Sequence, residues 1–221
     1  MRSNLLCVIA GLAAGLTFGQ ARAVRRCTST EACLLVIQQA QRDMRTMTAA
    51  YVQVKHVSLL DEPLVSSGRF IFKRPDRILL KMEQPQPLTV TITGREVHIP
   101  NLPARERQAL GMAPMAAMFT QLSAVFTGSM RALEQGFEVA AVEDDSAIQV
   151  TLVPRQESWK RMFRSIQLRF AGPQLFVQKI RLDDALGDNL EITLSDVRYD
   201  IDIPDAAFDV AAPPAEGSEH K

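Results

Sequence analysis

The tract from Gly68 to Glu83 constrains the fold more than any other. Phe70 and Phe72 alternate with Arg69, Ile71 and Lys73, the two-residue period of a strand with two unlike faces. Pro75 has no N–H to give to a ladder and ends that strand. A second strand follows at once over residues 78–83. The flanks keep the period. Tyr51, Gln53, Lys55 and Val57 alternate with Val52, Val54, His56 and Ser58, and further strands are expected over 88–93 and 96–99. Asp61-Glu62-Pro63 and Gly94-Arg95 supply the turns between them.

Helical periodicity interrupts this pattern twice. Thr28 and Glu31 fit a capping box, and Cys33, Ile37, Ala40, Met44 and Met47 form one apolar stripe, which predicts a helix running to about Met47. Residues 114–126 are a very apolar helical run beyond a polar stretch at 101–108, and 129–135 reads as a short helix. Strands resume over 137–142, 147–153, 165–170, 174–182 and 189–199, with a last extended piece at 204–210. One helix, five strands, two helices and five or more strands suit an α+β, mainly β, fold. The expected form is a single strongly curved antiparallel sheet, an unclosed half-barrel, with helices as plug and lid over its apolar concave side.

The N-terminus carries a compartment signal. Arg2, the apolar run 5–19 and the small-x-small site Ala21-Arg22-Ala23 are the three parts of a cleaved secretory signal peptide. The run is too short for a comfortable membrane span of about 20 residues. The expected organisation is a signal peptide over 1–23, one domain over 24–210 and a flexible tail over 211–221. Removing 23 of the 221 residues leaves 198, enough for one core. Arg2 and Arg22 leave too, so 23 basic residues face 25 acidic ones. That balance gives no general pull toward nucleic acid, and an aromatic content of 6% offers no stacking platform for bases. In an oxidising compartment Cys27 and Cys33, six residues apart, are expected to form a disulfide clip at the start of the first helix.

Reactive chemistry finds little footing. His56, His98 and His220 are scattered and lack metal-ligand spacing. There is no Gly-x-Ser-x-Gly elbow and no phosphate-binding glycine loop. The acidic run 183–189 lacks the spaced ligands of a calcium loop and reads as a solvated hairpin turn. Trp159, in a charged stretch, reads as a packing residue. With no convergent acid, base or nucleophile set, the expectation is a protein that is not an enzyme and needs no cofactor or metal.

Several short motifs, weak singly, recur in an ordered series. Tyr51-Val52-Gln53 resembles a Phe-x-Gln strand start. Gly68 to Pro75 resembles Gly-x-Phe/Trp-x-x-Lys-Arg-Pro, and Glu83-Gln84-Pro85 a Gln-Pro strand end. The hairpin from Thr93 to Pro100, Leu152-Val153-Pro154-Arg155, and Phe208-Asp209-Val210 before Pro213-Pro214 complete the series. Together they resemble the periplasmic outer-membrane lipoprotein carriers, the LolA family. The chain departs from that family's pattern in its aromatic positions, where Ile78, Leu79, Leu80, Val97 and His98 stand.

The resemblance implies a periplasmic carrier that shields acyl chains and passes acylated lipoprotein from an inner-membrane ABC-type release complex to a lipid-anchored outer-membrane receptor. It implies a monomer with no nucleic-acid partner. Arg74 matches the family's lid latch. Candidate cavity-wall residues are Phe70, Phe72, Leu79, Leu88, Val90 and Ile92, although alternation does not say which face is inside. Candidate lid residues are Met112, Met115, Met118, Phe119, Leu122, Val125 and Phe126; the same stripe also reads as core, packing on the sheet when empty and on acyl chains when loaded. Two other readings stay open: carriage of another lipid, such as a glycolipid or polyene ester, and a sensor or scaffold module that binds lipid or protein without transport.

Overall fold

The computed structural model describes residues 27–94, 96–100, 125, 129–144 and 147–209. The expected signal peptide, most of the expected lid and the tail lie outside the described residues. Ten strands form one antiparallel sheet: β1 (Thr46–His56), β2 (Leu64–Lys73), β3 (Arg77–Gln84), β4 (Leu88–Thr93), β5 (Glu96–His98), β6 (Phe137–Asp144), β7 (Ala147–Pro154), β8 (Phe163–Ala171), β9 (Phe176–Asp184) and β10 (Asn189–Tyr199). Their spatial order is β5-β4-β3-β2-β1-β10-β9-β8-β7-β6. Two five-strand meanders therefore meet at the β1–β10 pair, and β5 and β6 are the free edges of a sheet that does not close into a barrel.

The curvature has local causes. Register shifts interrupt the ladders between Thr48 and Ala50, at Ser67/Gly68, at Phe163/Ser165 and at Arg169/Phe170. Each is a bulge or irregularity of the kind that bends and twists a strand. In β10 the irregularity holds Asp196 at φ 51°, a left-handed conformation that Asp tolerates better than most residues. At the β2 irregularity only glycine fits. A Cβ on Gly68 would stand 1.9 Å from the carbonyl oxygen of Lys81.

Helix α1 (Thr30–Ala40) packs on the inner face through Cys33, Leu34 and Ile37. Its N-cap is Ser29, whose hydroxyl accepts from the Ala32 N–H at 3.2 Å, and Glu31 turns outward to pair with Arg131. The Thr28–Glu31 box expected from sequence is therefore not the cap in use. The helix is also shorter than expected. It ends at Ala40, Met44 lies in the following turn and Met47 is already in β1. The apolar stripe continued only because both methionines are buried in the same core. Among the described residues two more short helices follow, α2 (Met130–Leu133) and α3 (Glu157–Lys160). α3 stands where sequence suggested a polar link, and its Trp159 is buried against Phe137 with ring centroids 5.3 Å apart.

The outer face is polar over β9 and β10, where Arg181 pairs with Asp183 and Glu191 and Lys179 pairs with Glu191. Over β3 it is covered. The chain after β10 crosses it, held by Thr46 to the Ile201 carbonyl and by Lys73 to the Ile203 carbonyl. It ends in a 3-10 turn (Asp205–Phe208) that packs Phe208 on Leu79. Sequence had suggested an extended piece there.

Candidate functional site

In an antiparallel ladder, residues opposite each other point to the same face. Phe70 faces Leu80, Phe72 faces Ile78, Ile78 faces Ile92, Leu80 faces Val90 and Met82 faces Leu88. Phe70, Phe72, Ile78 and Ile92 belong to the core cluster that α1 joins, with Leu80 and Val90 packed beside them. This is the inner face. The structure thus brings together five of the expected wall residues: Phe70, Phe72, Leu88, Val90 and Ile92. Leu79 is a correction. It pairs with Ile71 and is buried on the outer face beneath Ile203 and Phe208. Three residues separate β2 from β3, so Phe72 meets Ile78 and the inward residues are Ile78 and Leu80.

The inner face continues across the sheet through Ile180, Leu182, Leu190 and Ile192 on β9 and β10, which the sequence reading did not single out. Their alternation was visible. What was missing was the pairing of β10 with β1, which no local pattern announces.

One end of this face is closed. There Met47, Phe72, Ile78 and Ile92 are buried, and the C-terminal end of α1 lies nearby. Arg74 donates through Nε to the Met44 carbonyl and through Nη2 to the Gln41 carbonyl at 2.9 Å, while its own N–H donates to the Arg45 carbonyl at 2.9 Å. Gln41 is itself buried and donates to the Leu175 carbonyl at 2.7 Å in the β8–β9 turn. The end of α1 is thereby tied to hairpins on both halves of the sheet. Both side-chain acceptors lie just beyond α1, at its C-cap and in the segment before β1; a contact of Arg74 with the expected lid falls outside the described residues. Tyr199, beside Phe176, lines the same end, and burial pushes its phenol well above the usual range.

Toward the other end burial is only partial. Leu80, Met82, Leu88, Val90, Ile180, Leu182, Leu190 and Ile192 are all only half-buried. The inward side chains of β1 change character toward it, from Met47 and Ala49 to Tyr51, Gln53 and finally exposed Lys55. Burial, and then the charge of Glu83, raise the Tyr51 phenol. Apolar side chains crowd the rim. Leu59 is 91% exposed and Leu186 is 87% exposed. Their two loops are joined by Asp188, whose carboxylate accepts from the Ser58 N–H at 2.8 Å.

Val125 is buried in the core; the other expected lid residues, Met112, Met115, Met118, Phe119, Leu122 and Phe126, lie outside the described residues. Cys27 and Cys33 are bridged, with Cα atoms 5.0 Å apart. Beside them the Cys27 N–H donates to Glu143 and the Ala141 N–H to Thr30, so the start of α1 covers the free edge of β6. Among the described residues no group of three or more His, Cys, Asp or Glu is placed to hold a metal ion, and no helix is long and apolar enough to cross a membrane.

Comparison with known proteins places this face in context. The family model described as outer membrane lipoprotein carrier protein LolA matches residues 42–211. An outer-membrane lipoprotein carrier protein of Methylibium petroleiphilum is 26% identical over 174 residues, covering 77% of this chain and 81% of that one. Among solved structures, MucB is similar in fold at a TM-score of 0.50 and 14% identity, over 83% of this chain and 63% of that chain, so this chain spans under two thirds of its length. A LolA superfamily protein from Nitrosomonas europaea gives a TM-score of 0.46 at 12% identity, over 82% of this chain and 98% of that one.

Proposed function

The chain belongs to the LolA family of outer-membrane lipoprotein carriers, and from that premise we propose that it is a periplasmic carrier that holds the acyl chains of lipoproteins against the inner face of its sheet. It takes them from an inner-membrane ABC-type release complex and delivers them to a lipid-anchored outer-membrane receptor. The observation that carries this reading is the apolar row from Leu80 to Ile192, only partly buried at one end of an otherwise packed sheet. A folded protein leaves so much inward apolar surface half-buried at a cost, which a hydrocarbon ligand would offset.

Energetics sets the mode of release. Burial is worth about 0.8 kcal/mol per CH₂, so a fully sheltered chain of ordinary lipid length is held by about 10 kcal/mol. Escape into water is then far slower than handover to another apolar site brought against the mouth. The exposed leucines at 59 and 186 give that mouth an apolar rim for docking donor and acceptor. Residues 112–126 serve as the lid, because the connection from β5 to β6 leads from one free edge of the sheet to the other. Flexible methionine side chains suit contact with chains of varied shape. Arg74 holds the closed end, from which the lid takes its bearing.

Native mass spectrometry of the protein recovered from periplasm without detergent tests the proposal. One triacylated lipoprotein per chain is the expected result. A small lipid in its place would move the reading to carriage of another lipid, and a protein recovered empty from cells that export lipoproteins would overturn carriage.

A further inference from the structure

Apart from the Tyr199 hydroxyl at its closed end, which is also buried without a partner, the inner face carries a polar interruption among its described residues that packing does not explain. Ser66 is only 7% exposed, and its hydroxyl has no hydrogen-bond partner. Directly opposite on β1 stands Gln53, half-buried, its amide making no hydrogen bond among the described residues. Apolar residues flank the pair. Ile192 faces Gln53 from β10, and Met82 faces Gly68, the next inward position on β2. A buried hydroxyl without a partner is destabilising, and alanine would fill the same place without that cost. The buried Ser66 hydroxyl and the half-buried Gln53 amide therefore offer hydrogen-bond donors side by side on an apolar wall. They want a carbonyl oxygen that arrives with hydrocarbon attached.

Their height on the wall fits that ligand. Six residues of strand separate Met47 at the closed end from Gln53, a rise of about 20 Å at 3.4 Å per residue. That stretch is lined by Met47, Ala49, Tyr51, Phe70 and Phe72. One inward step toward the mouth from Gln53 is Lys55, exposed. Along one strand the wall thus runs from hydrocarbon to hydrogen-bond donors to a cation. An acylated glycerol has the same sequence of groups: chain, ester carbonyl, polar head.

We propose that Gln53 and Ser66 form a carbonyl-binding station that registers the cargo by donating hydrogen bonds to the acyl ester carbonyls at the head of its hydrocarbon chains. The inference rests on the acyl-carrier reading and adds to it what fixes the depth of the chains. Recognition of the carbonyl distinguishes an esterified lipid from a bare hydrocarbon or an alkyl ether, which apolar surface alone cannot do.

The test compares binding of a synthetic triacylated lipopeptide with that of its dialkyl-ether counterpart, which lacks the two ester carbonyls. A diacyl phospholipid and its diether analogue form a second arm. Wild-type protein is expected to favour each ester over its ether by about threefold to tenfold, the yield of one or two net hydrogen bonds. Ser66→Ala and Gln53→Met should each reduce the preference, and the double variant should bind ester and ether alike. Ser66→Ala removes an unsatisfied buried hydroxyl, so its thermal midpoint should equal or exceed that of wild type, which separates lost recognition from lost folding. Equal binding of ester and ether by wild type, or an ester preference that survives in the double variant, would overturn the station while leaving carriage intact. An ester preference confined to the phospholipid arm would keep the station and move the cargo from lipoprotein to free glycerolipid. Failure to bind any of the four probes would overturn carriage and the station with it.

Discussion

Replacing Arg74 by leucine probes the joint that closes one end of the sheet. The guanidinium donates to the carbonyl of Gln41, the C-cap of α1, and to that of Met44 in the segment that leads into β1. Its positive charge also lies where the helix dipole is negative. Hydrogen bonds from a charged group contribute roughly 1.5–3 kcal/mol each. Arg74 is partly exposed, which argues for the lower end, and two such bonds give about 3 kcal/mol. Leucine supplies no donor, so the Met44 carbonyl loses the Arg74 fork and, among the described residues, the Gln41 carbonyl keeps only the Met44 N–H at 3.2 Å. With a urea slope of about 2 kcal/mol/M for a domain of this size, the unfolding midpoint should fall by about 1.5 M with the slope unchanged. Lysine, with one flexible ammonium in place of a fork, should recover about half of the loss. Hydrogen exchange should locate the effect, with protection lost at the end of α1 and kept in β7 and β8. A leucine variant within about 1 kcal/mol of wild type and with unchanged exchange at residues 41–45 would refute this account of the joint.

Two further perturbations follow from individual contacts. Gly68→Ala drives a Cβ to 1.9 Å from the Lys81 carbonyl oxygen between paired strands about 4.8 Å apart, so β2 and β3 must part. A loss above about 4 kcal/mol is expected in thermal or urea unfolding, and a near-wild-type Gly68→Ala protein would show that the strands are not so close. The Asp205 carboxyl is held below the usual carboxylate range by its hydrogen bond to Lys73 and then by the charge of Arg77. Because the folded state has the lower pKa, this contribution is present above the ordinary carboxylate pKa and is lost as pH falls through the depressed folded value. Exchange protection around residues 205–208 should therefore fall on acidification in wild type and be low but flat with pH in Asp205→Asn; identical pH profiles would refute the pairing.

Much of the wall was legible because strands report their own period. β4 and β10 begin and end where alternation and turn residues put them. Phe70 and Phe72 share a face because that follows from the period alone. What failed depended on partners distant in sequence. Ile78, Leu79 and Leu80 are all apolar, so β3 alone does not say which residues face in. It is a strand covered on both sides, by the core on one and by Phe208 on the other. The end of α1 was misplaced because Met44 and Met47 stay in phase with the helix stripe while serving a turn and a strand. Gln53 was visible only as part of a motif. Its meaning needed Ser66 opposite, which is a fact of register, and the vacant hydroxyl, which is a fact of packing.

The topology also decides where a carrier built this way can change shape. The two meanders are joined at the centre of the sheet by β1 and β10, paired along nearly their whole length. A breach there would sacrifice an entire ladder. The free edges remain. That of β6 is occupied, with the Ala141 and Cys27 N–H groups bound to Thr30 and Glu143 and with the Cys27–Cys33 bridge fixing the chain that does so. The edge of β5 is only three residues long and, among the described residues, has β4 as its single strand partner. Among the described residues few hydrogen bonds oppose its displacement, and in sequence it precedes the connection that carries the methionine-rich run. If the inner face must first admit and then surrender a hydrocarbon chain, the least costly movement among the described strands is therefore of β5, against a wall that β1 and β10 keep together. On that basis a disulfide engineered to tie β5 to β4 should leave the fold and its stability intact while slowing both uptake and release of an acyl probe, and unaltered exchange rates in the oxidised protein would place the moving part elsewhere.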